Sequence, residues 1–128
     1  MNGGLLLADK GQVNLLIYGD SISAGYGMDK DKQWSEELQK ILTEEKINLE
    51  IINKSLSGET TGGGLSRLER VLDNSKPSYI LIELGGNDAL RGYPPAKIKN
   101  NIEQMINLSI KRGVKVFLMQ IRILPNYG

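Results

Sequence analysis

Val13 to Tyr18 (VNLLIY) is a nearly continuous apolar run that stops at Gly19-Asp20. A run of this length without strict alternation marks a strand buried on both faces. Trp34, Leu38, Ile41 and Leu42 then fall at i, i+4, i+7 and i+8, with Glu and Lys between them. That spacing predicts an amphipathic helix over roughly 33–46, with Trp34 turned to the core. Leu49 to Asn53 (LEIIN) predicts a second strand, and Lys54 to Gly64 is a loop by composition. Gly62-Gly63-Gly64 reads as a flexible entry to the helix marked by Leu65, Leu68 and Leu72, which ends before Pro77. Tyr79 to Leu84 (YILIEL) predicts a third strand, broken by Gly85-Gly86-Asn87-Asp88. Arg91 to Pro95 is a loop whose last residue fits the first turn of a helix. Ile98, Ile102, Met105, Ile106 and Ser109 carry that helix, and Gly113 suits its C-terminal cap. Val114 to Ile121 (VKVFLMQI) predicts the fourth strand.

The order is β-α-β-α-β-α-β. Strands alternating with helices imply parallel pairing, right-handed crossovers and helices on both faces, a three-layer α/β/α fold. Ligands in such sheets bind beyond the carboxyl ends of the strands. The polar, glycine-rich segments sit at those ends: Gly19 to Gly27, Ser55 to Gly64 and Gly85 to Gly92. No helical pattern follows the fourth strand, so the sheet reads as truncated there. The expected organisation is a leader over 1–12 and one domain over 13–128.

Composition narrows the function. The chain has 128 residues, 40% of them hydrophobic and 24% charged, with a net charge of +1. There is no basic stripe and no aromatic–arginine interleaving, so nucleic acid is not an expected partner. No apolar run approaches the ~20 residues of a membrane span. The first ten residues lack a basic n-region, although Leu5-Leu6-Leu7-Ala8 fits the tail of a secretory signal as well as a disordered leader. Cysteine and histidine are both absent. Thiol chemistry and an internal Ser–His pair are thereby excluded. Asp29-Lys30-Asp31-Lys32 lacks calcium-loop spacing and reads as a solvated loop.

Three segments carry candidate chemistry. Ser21 follows a buried strand closely enough to sit on a strand-to-helix turn, which exposes a hydroxyl as an acyl-transfer nucleophile requires. The bland alternative is that Ser21 or Ser23 caps the next helix. Ser57-Gly58-Glu59-Thr60 can present a backbone N–H to a ligand oxygen, or be an ordinary turn. The Asn87 carboxamide can donate to an oxyanion, or Asn87-Asp88 can be a turn leading to the Ile98 helix. Together the three would surround one point with two backbone N–H groups and one side-chain amide, which stabilise a tetrahedral acyl intermediate by roughly 3–4 kcal/mol each.

GDSISAGYGM, SLSGET and GGND after a hydrophobic strand resemble the first three sequence blocks of the SGNH (GDSL) hydrolases. The similarity runs from about Val13 to the end of the chain, through LIELGGNDALRG and LMQIRILPNYG. It is nearest to the bacterial multifunctional acyl-CoA thioesterase, lysophospholipase and arylesterase group. The resemblance implies a flavodoxin-like fold and hydrolysis of small-molecule esters or thioesters through an acyl-serine, with no cofactor or metal. Ser21 matches the nucleophile and, through its N–H, one oxyanion donor. Gly58 and Asn87 match the other two. Gly19, Asp20 and Asp88 match positions that support these motifs. Leu90, Arg91, Gly92 and Tyr93 match a loop that closes over the acyl chain. Relatives are often periplasmic. The family's last block, an Asp-x-x-His that supplies the base and its orienting acid, is missing. Losing such groups costs serine hydrolases on the order of 10⁴–10⁶ in rate. The chain therefore reads as the N-terminal part of a longer enzyme, weakly active or inactive alone. The alternative is a non-catalytic acyl- or carbohydrate-binding α/β module. Ser55 to Thr60 also fits a flavodoxin-type phosphate loop. It follows the second strand rather than the first, and no stacking aromatics accompany it, so FMN is not expected.

Overall fold

A computed structural model describes residues 13–25, 27, 29 and 33–119. The expected leader over 1–12, the last two residues of the expected fourth strand and Lys30 to Lys32 lie outside the described residues. Four strands, β1 (Val13–Gly19), β2 (Leu49–Asn53), β3 (Tyr79–Glu83) and β4 (Lys115–Leu118), form one parallel sheet in the order β2-β1-β3-β4. Five helices connect them: α1 (Ser21–Ala24), α2 (Trp34–Glu44), α3 (Thr61–Ser75), α4 (Gly86–Leu90) and α5 (Pro95–Lys111).

Strand alternation divides the apolar residues between two faces. Leu16 and Tyr18 of β1, Ile80 and Ile82 of β3, and Leu84 meet Leu68 and Leu72 of α3 and Met105 of α5 in one cluster. Each is almost fully buried, and each such side chain contributes about 1.5–3 kcal/mol. On the other face, Asn53 donates to Ser35 Oγ of α2 and to the Ser23 carbonyl of α1, which places both helices there. The Gln39 carboxamide of α2 donates to Leu49 O at 3.1 Å and accepts from Ile51 N at 2.8 Å. It thus pairs with the backbone of the edge strand β2, groups that would otherwise be open to another chain. Towards the amino ends of the strands this face holds a hollow of about 570 Å³ lined by Val13, Leu15, Ile47, Leu49, Tyr79, Leu81 and Phe117, among others.

Three local features differ from the sequence pattern. Gly62 to Gly64 are helical, not a loop, because α3 starts at Thr61. The Thr60 hydroxyl caps it by accepting from Gly63 N at 3.2 Å, and Tyr18 donates its phenol to Gly64 O at 2.6 Å. A Cβ at Gly64 would lie 2.7 Å from Leu84 Cδ1, so helix and sheet approach too closely for a side chain. Secondly, a short helix, α4, replaces the expected turn at 86–90. Thirdly, α2 rests against the edge strand and covers its apolar face only in part: Ser35 is its buried residue, Trp34 is half-buried and Ile41 is 55% exposed.

Candidate active site

The first rim segment is the turn after β1. Register pairs Gly19 with Glu83 at the carboxyl ends of β1 and β3. A Cβ at Gly19 would lie 2.6 Å from Glu83 Oε1 and 2.8 Å from Ser23 Oγ, which leaves room for glycine alone. Asp20 caps α1, its Oδ1 accepting from Ile22 N at 3.0 Å. Neither Ser21 nor Ser23 is the cap. Ser23 is buried and donates its hydroxyl to Glu83 Oε1 at 2.6 Å, whereas Ser21, one residue past the cap, is half-exposed. The Ser21 N–H is among the first N–H groups of α1, which no carbonyl of that helix can accept. The Asp20 carboxylate is committed to its own helix rather than turned to Ser21.

The second segment follows β2 and is laced to the first. Lys54 N donates to Ile17 O, Gly19 N to Ser55 Oγ, and Leu56 N to Gly19 O, each at 2.9 Å. Gly58 lies at the tip in the left-handed region (φ +80°) with open space at its α-carbon. Glu59 pairs with Arg67 Nε at 2.5 Å. Arg67 also donates to Lys54 O at 2.7 Å and stacks 4.4 Å from the centre of the Tyr18 ring. One guanidinium thus fixes both ends of the loop to α3 and to the core. Burial raises the pKa of the Tyr18 phenol, which keeps it a donor to Gly64.

The third segment is α4. Asn87 Nδ2 donates to Glu59 O at 3.0 Å, which joins it to the residue after Gly58. Asp88, 1% exposed, accepts from Thr61 N at 2.8 Å and from Thr61 Oγ1 at 2.7 Å. Asn101 of α5 completes the group by donating to Thr61 Oγ1 at 3.0 Å. Asp88 therefore serves the start of α3, not the approach to the Ile98 helix. Of the expected acyl-chain loop, Leu90 ends α4 and Arg91, Gly92 and Tyr93 follow it, with Leu90 69% exposed.

The residues singled out in the sequence thus lie on three segments at one end of the sheet, joined to one another by hydrogen bonds. The large apolar hollow opens at the opposite end of the strands, and no rim residue lines it. The sequence pattern missed Glu83, which sits under the first segment. Its signal was a lone charge in the otherwise apolar run YILIEL. Among the described residues no group of three or more His, Cys, Asp or Glu is placed to hold a metal. No helix among them is long and apolar enough to cross a membrane.

A parallel α/β sheet with a serine on the turn after its first strand, and with polar loops from its neighbours on the same rim, defines an SGNH-type hydrolase domain. The model of the GDSL-like lipase/acylhydrolase family matches residues 17–128, and the chain belongs to that family. It is 48% identical over 124 residues to an arylesterase of Vibrio mimicus, covering 97% of this chain and 62% of the relative. It is 39% identical over 114 residues to thioesterase 1/protease 1/lysophospholipase L1 of Escherichia coli K12, covering 89% of this chain and 53% of that protein. The crystal structure of the psychrotrophic esterase EstA from Pseudoalteromonas sp., inhibited by monoethylphosphonate, superposes with a TM-score of 0.86 at 42% identity. That match covers 90% of this chain and 63% of EstA. The chain therefore spans between half and two thirds of the length of these relatives.

Proposed function

We propose that the protein carrying this sequence hydrolyses carboxylic esters or thioesters through an acyl-Ser21 intermediate. The observation that carries this reading is the lacing of the Ser21 turn, the Gly58 loop and the Asn87 helix into one rim. Ser21 Oγ attacks the carbonyl carbon. The Ser21 N–H, the Gly58 N–H and the second Asn87 amide proton receive the oxyanion, each contributing about 3–4 kcal/mol. The first Asn87 proton is held by Glu59 O, which orients the carboxamide. Gly19, Asp20 and Asp88 hold these groups in place. Ile22, Leu56, Leu90 and Tyr93 are exposed apolar side chains on the same segments, a surface suited to an acyl chain. That chemistry calls on no cofactor or metal. The 128 residues contain no histidine, so the base is supplied from outside them.

The missing imidazole favours a second reading for the 128 residues alone, an acyl-binding module without turnover. An ester assay separates the two. The chain extended to the length of its relatives turns over p-nitrophenyl esters, and Ser21→Ala abolishes that turnover with unfolding unchanged. The 128-residue chain is slower by on the order of 10⁴–10⁶. Full activity in Ser21→Ala would remove the nucleophile assignment.

A further inference from the structure

Glu83 is a carboxyl group with almost no access to water, at 1% exposure, directly beneath the Ser21 turn. Its Oε1 accepts from Ser23 Oγ at 2.6 Å and from Asp20 N at 3.3 Å. Its Oε2 is buried and has no hydrogen-bond partner among the described residues. An ionised carboxylate can only accept, so a bare oxygen in that position is costly. A protonated Oε2 leaves the group neutral, which removes the cost of burying a charge there. We propose that Glu83 is a positioning residue that holds the nucleophile turn as a neutral acid, Oε1 accepting from Ser23 Oγ and from Asp20 N–H while the buried Oε2 carries the proton. Oε1 then holds both sides of Ser21, the capping residue before it and the buried serine two residues after it.

The charged surroundings agree. Desolvation raises the Glu83 pKa most, and the negative Asp20 raises it further, while the Ser23 hydroxyl opposes them. Asp20 is the titratable group that faces Glu83 from the turn. The α1 side offers Ser23, β1 offers Gly19, and on the β4 side Met119 N donates to Ile82 O. The Asp20 side chain caps α1, its Oδ1 accepting from Ile22 N.

The positioning role rests on Ser21 being the nucleophile; the protonation of Glu83 does not. Between the ordinary carboxyl value of 4.5 and its raised value, the folded chain holds a proton that the unfolded chain has lost. Stability is therefore full below the ordinary value and falls as pH rises through the raised one. Glu83→Gln carries a permanent donor in place of the proton and removes that slope. In the 128-residue chain, wild-type amide resonances of Asp20, Ser21 and Ser23 shift together with a midpoint above the ordinary carboxyl value of 4.5, and Glu83→Gln abolishes the shift. In the active enzyme Glu83→Ala lowers kcat by about 10²-fold at nearly constant KM, as a misplaced nucleophile does, and Glu83→Gln recovers most of the loss. Resonances that titrate identically in Glu83→Gln, or a Gln variant as slow as the Ala variant, would overturn the proposal. Turnover that survives Ser21→Ala would instead sink the hydrolase reading and leave the resonance comparison to decide the state of Glu83.

Discussion

Asp88→Ala removes the carboxylate that ties α4 to the first residue of α3. Asp88 accepts two hydrogen bonds, from Thr61 N at 2.8 Å and from Thr61 Oγ1 at 2.7 Å, and is 1% exposed. Truncation leaves a buried N–H and a buried hydroxyl without acceptors, at about 1–3 kcal/mol each. The expected loss is about 3–4 kcal/mol, a large share of the ~5–15 kcal/mol that holds a domain folded. Asp88→Asn keeps one acceptor for Thr61 N. Its amide then faces a hydroxyl that already accepts from Asn101, and the hydroxyl proton has nowhere to go. One bond is lost, at about 1–2 kcal/mol. Thr61→Val removes the other side of the same pair, so the double variant should lose about 1–2 kcal/mol less than the sum of the single changes. Urea unfolding followed through Trp34, the chain's single tryptophan, reads the four variants against wild type. With a slope of about 1.5 kcal/mol/M, Asp88→Ala moves the midpoint by about 2 M. An Ala variant within about 1 kcal/mol of wild type, or additive single changes, would refute the buried pair as the anchor of α4.

Gly64→Ala improves local helix preference by about 0.5–1 kcal/mol but drives a methyl to 2.7 Å from Leu84 Cδ1, at about 1–3 kcal/mol of overpacking. A lower melting temperature is expected, and a rise would show that the helix can retreat from the sheet. Arg67→Lys keeps the charge but loses the planar stack on Tyr18 and the simultaneous reach to Glu59 and Lys54 O. The expected result is about 1–2 kcal/mol less stability and slower ester turnover through a looser Gly58 loop. Unchanged unfolding and turnover would remove Arg67 from the support of the rim.

The strands were legible because their sequences were unambiguous. VNLLIY and LEIIN are short apolar runs bounded by turn residues, and both strands begin where those runs begin. What escaped the pattern was fixed by distant partners. Three successive glycines have poor helix preference, so 62–64 read as loop. The Thr60 cap and the Tyr18 hydrogen bond, 46 residues away in sequence, make them helical. At 86–90 five residues are too few for a 3.6-residue period to show, and Gly-Gly-Asn-Asp has turn composition. The Asp88–Thr61 pair supplies the constraint from outside the segment. Ser21, Gly58 and Asn87 were ambiguous one by one and stood out only together, as three loops on one rim whose sequence blocks resemble those of the SGNH hydrolases. Glu83 did not, because a charge inside an apolar run has no period of its own and acquires meaning only when Gly19 and Ser23 close over it.

The hydrogen bonds described between rim segments have both partners between residues 17 and 101. Ile17, Gly19 and Ser23 meet Asn53, Ser55 and Leu56 on one side, and Asp20 and Ser23 meet Glu83 on the other. Glu59 and Thr61 close the remaining gap to Asn87, Asp88 and Asn101. The donors proposed for the oxyanion are thus held by a circuit that needs neither the base nor the apolar hollow at the far end of the sheet. Two kinds of variant follow from that circuit in the active enzyme. Changes at Asp88, Arg67 or Glu83 alter where the donors sit, and so move kcat and unfolding together. A change at Ser21, the proposed nucleophile on a half-exposed position, is expected to remove turnover and leave unfolding where it was.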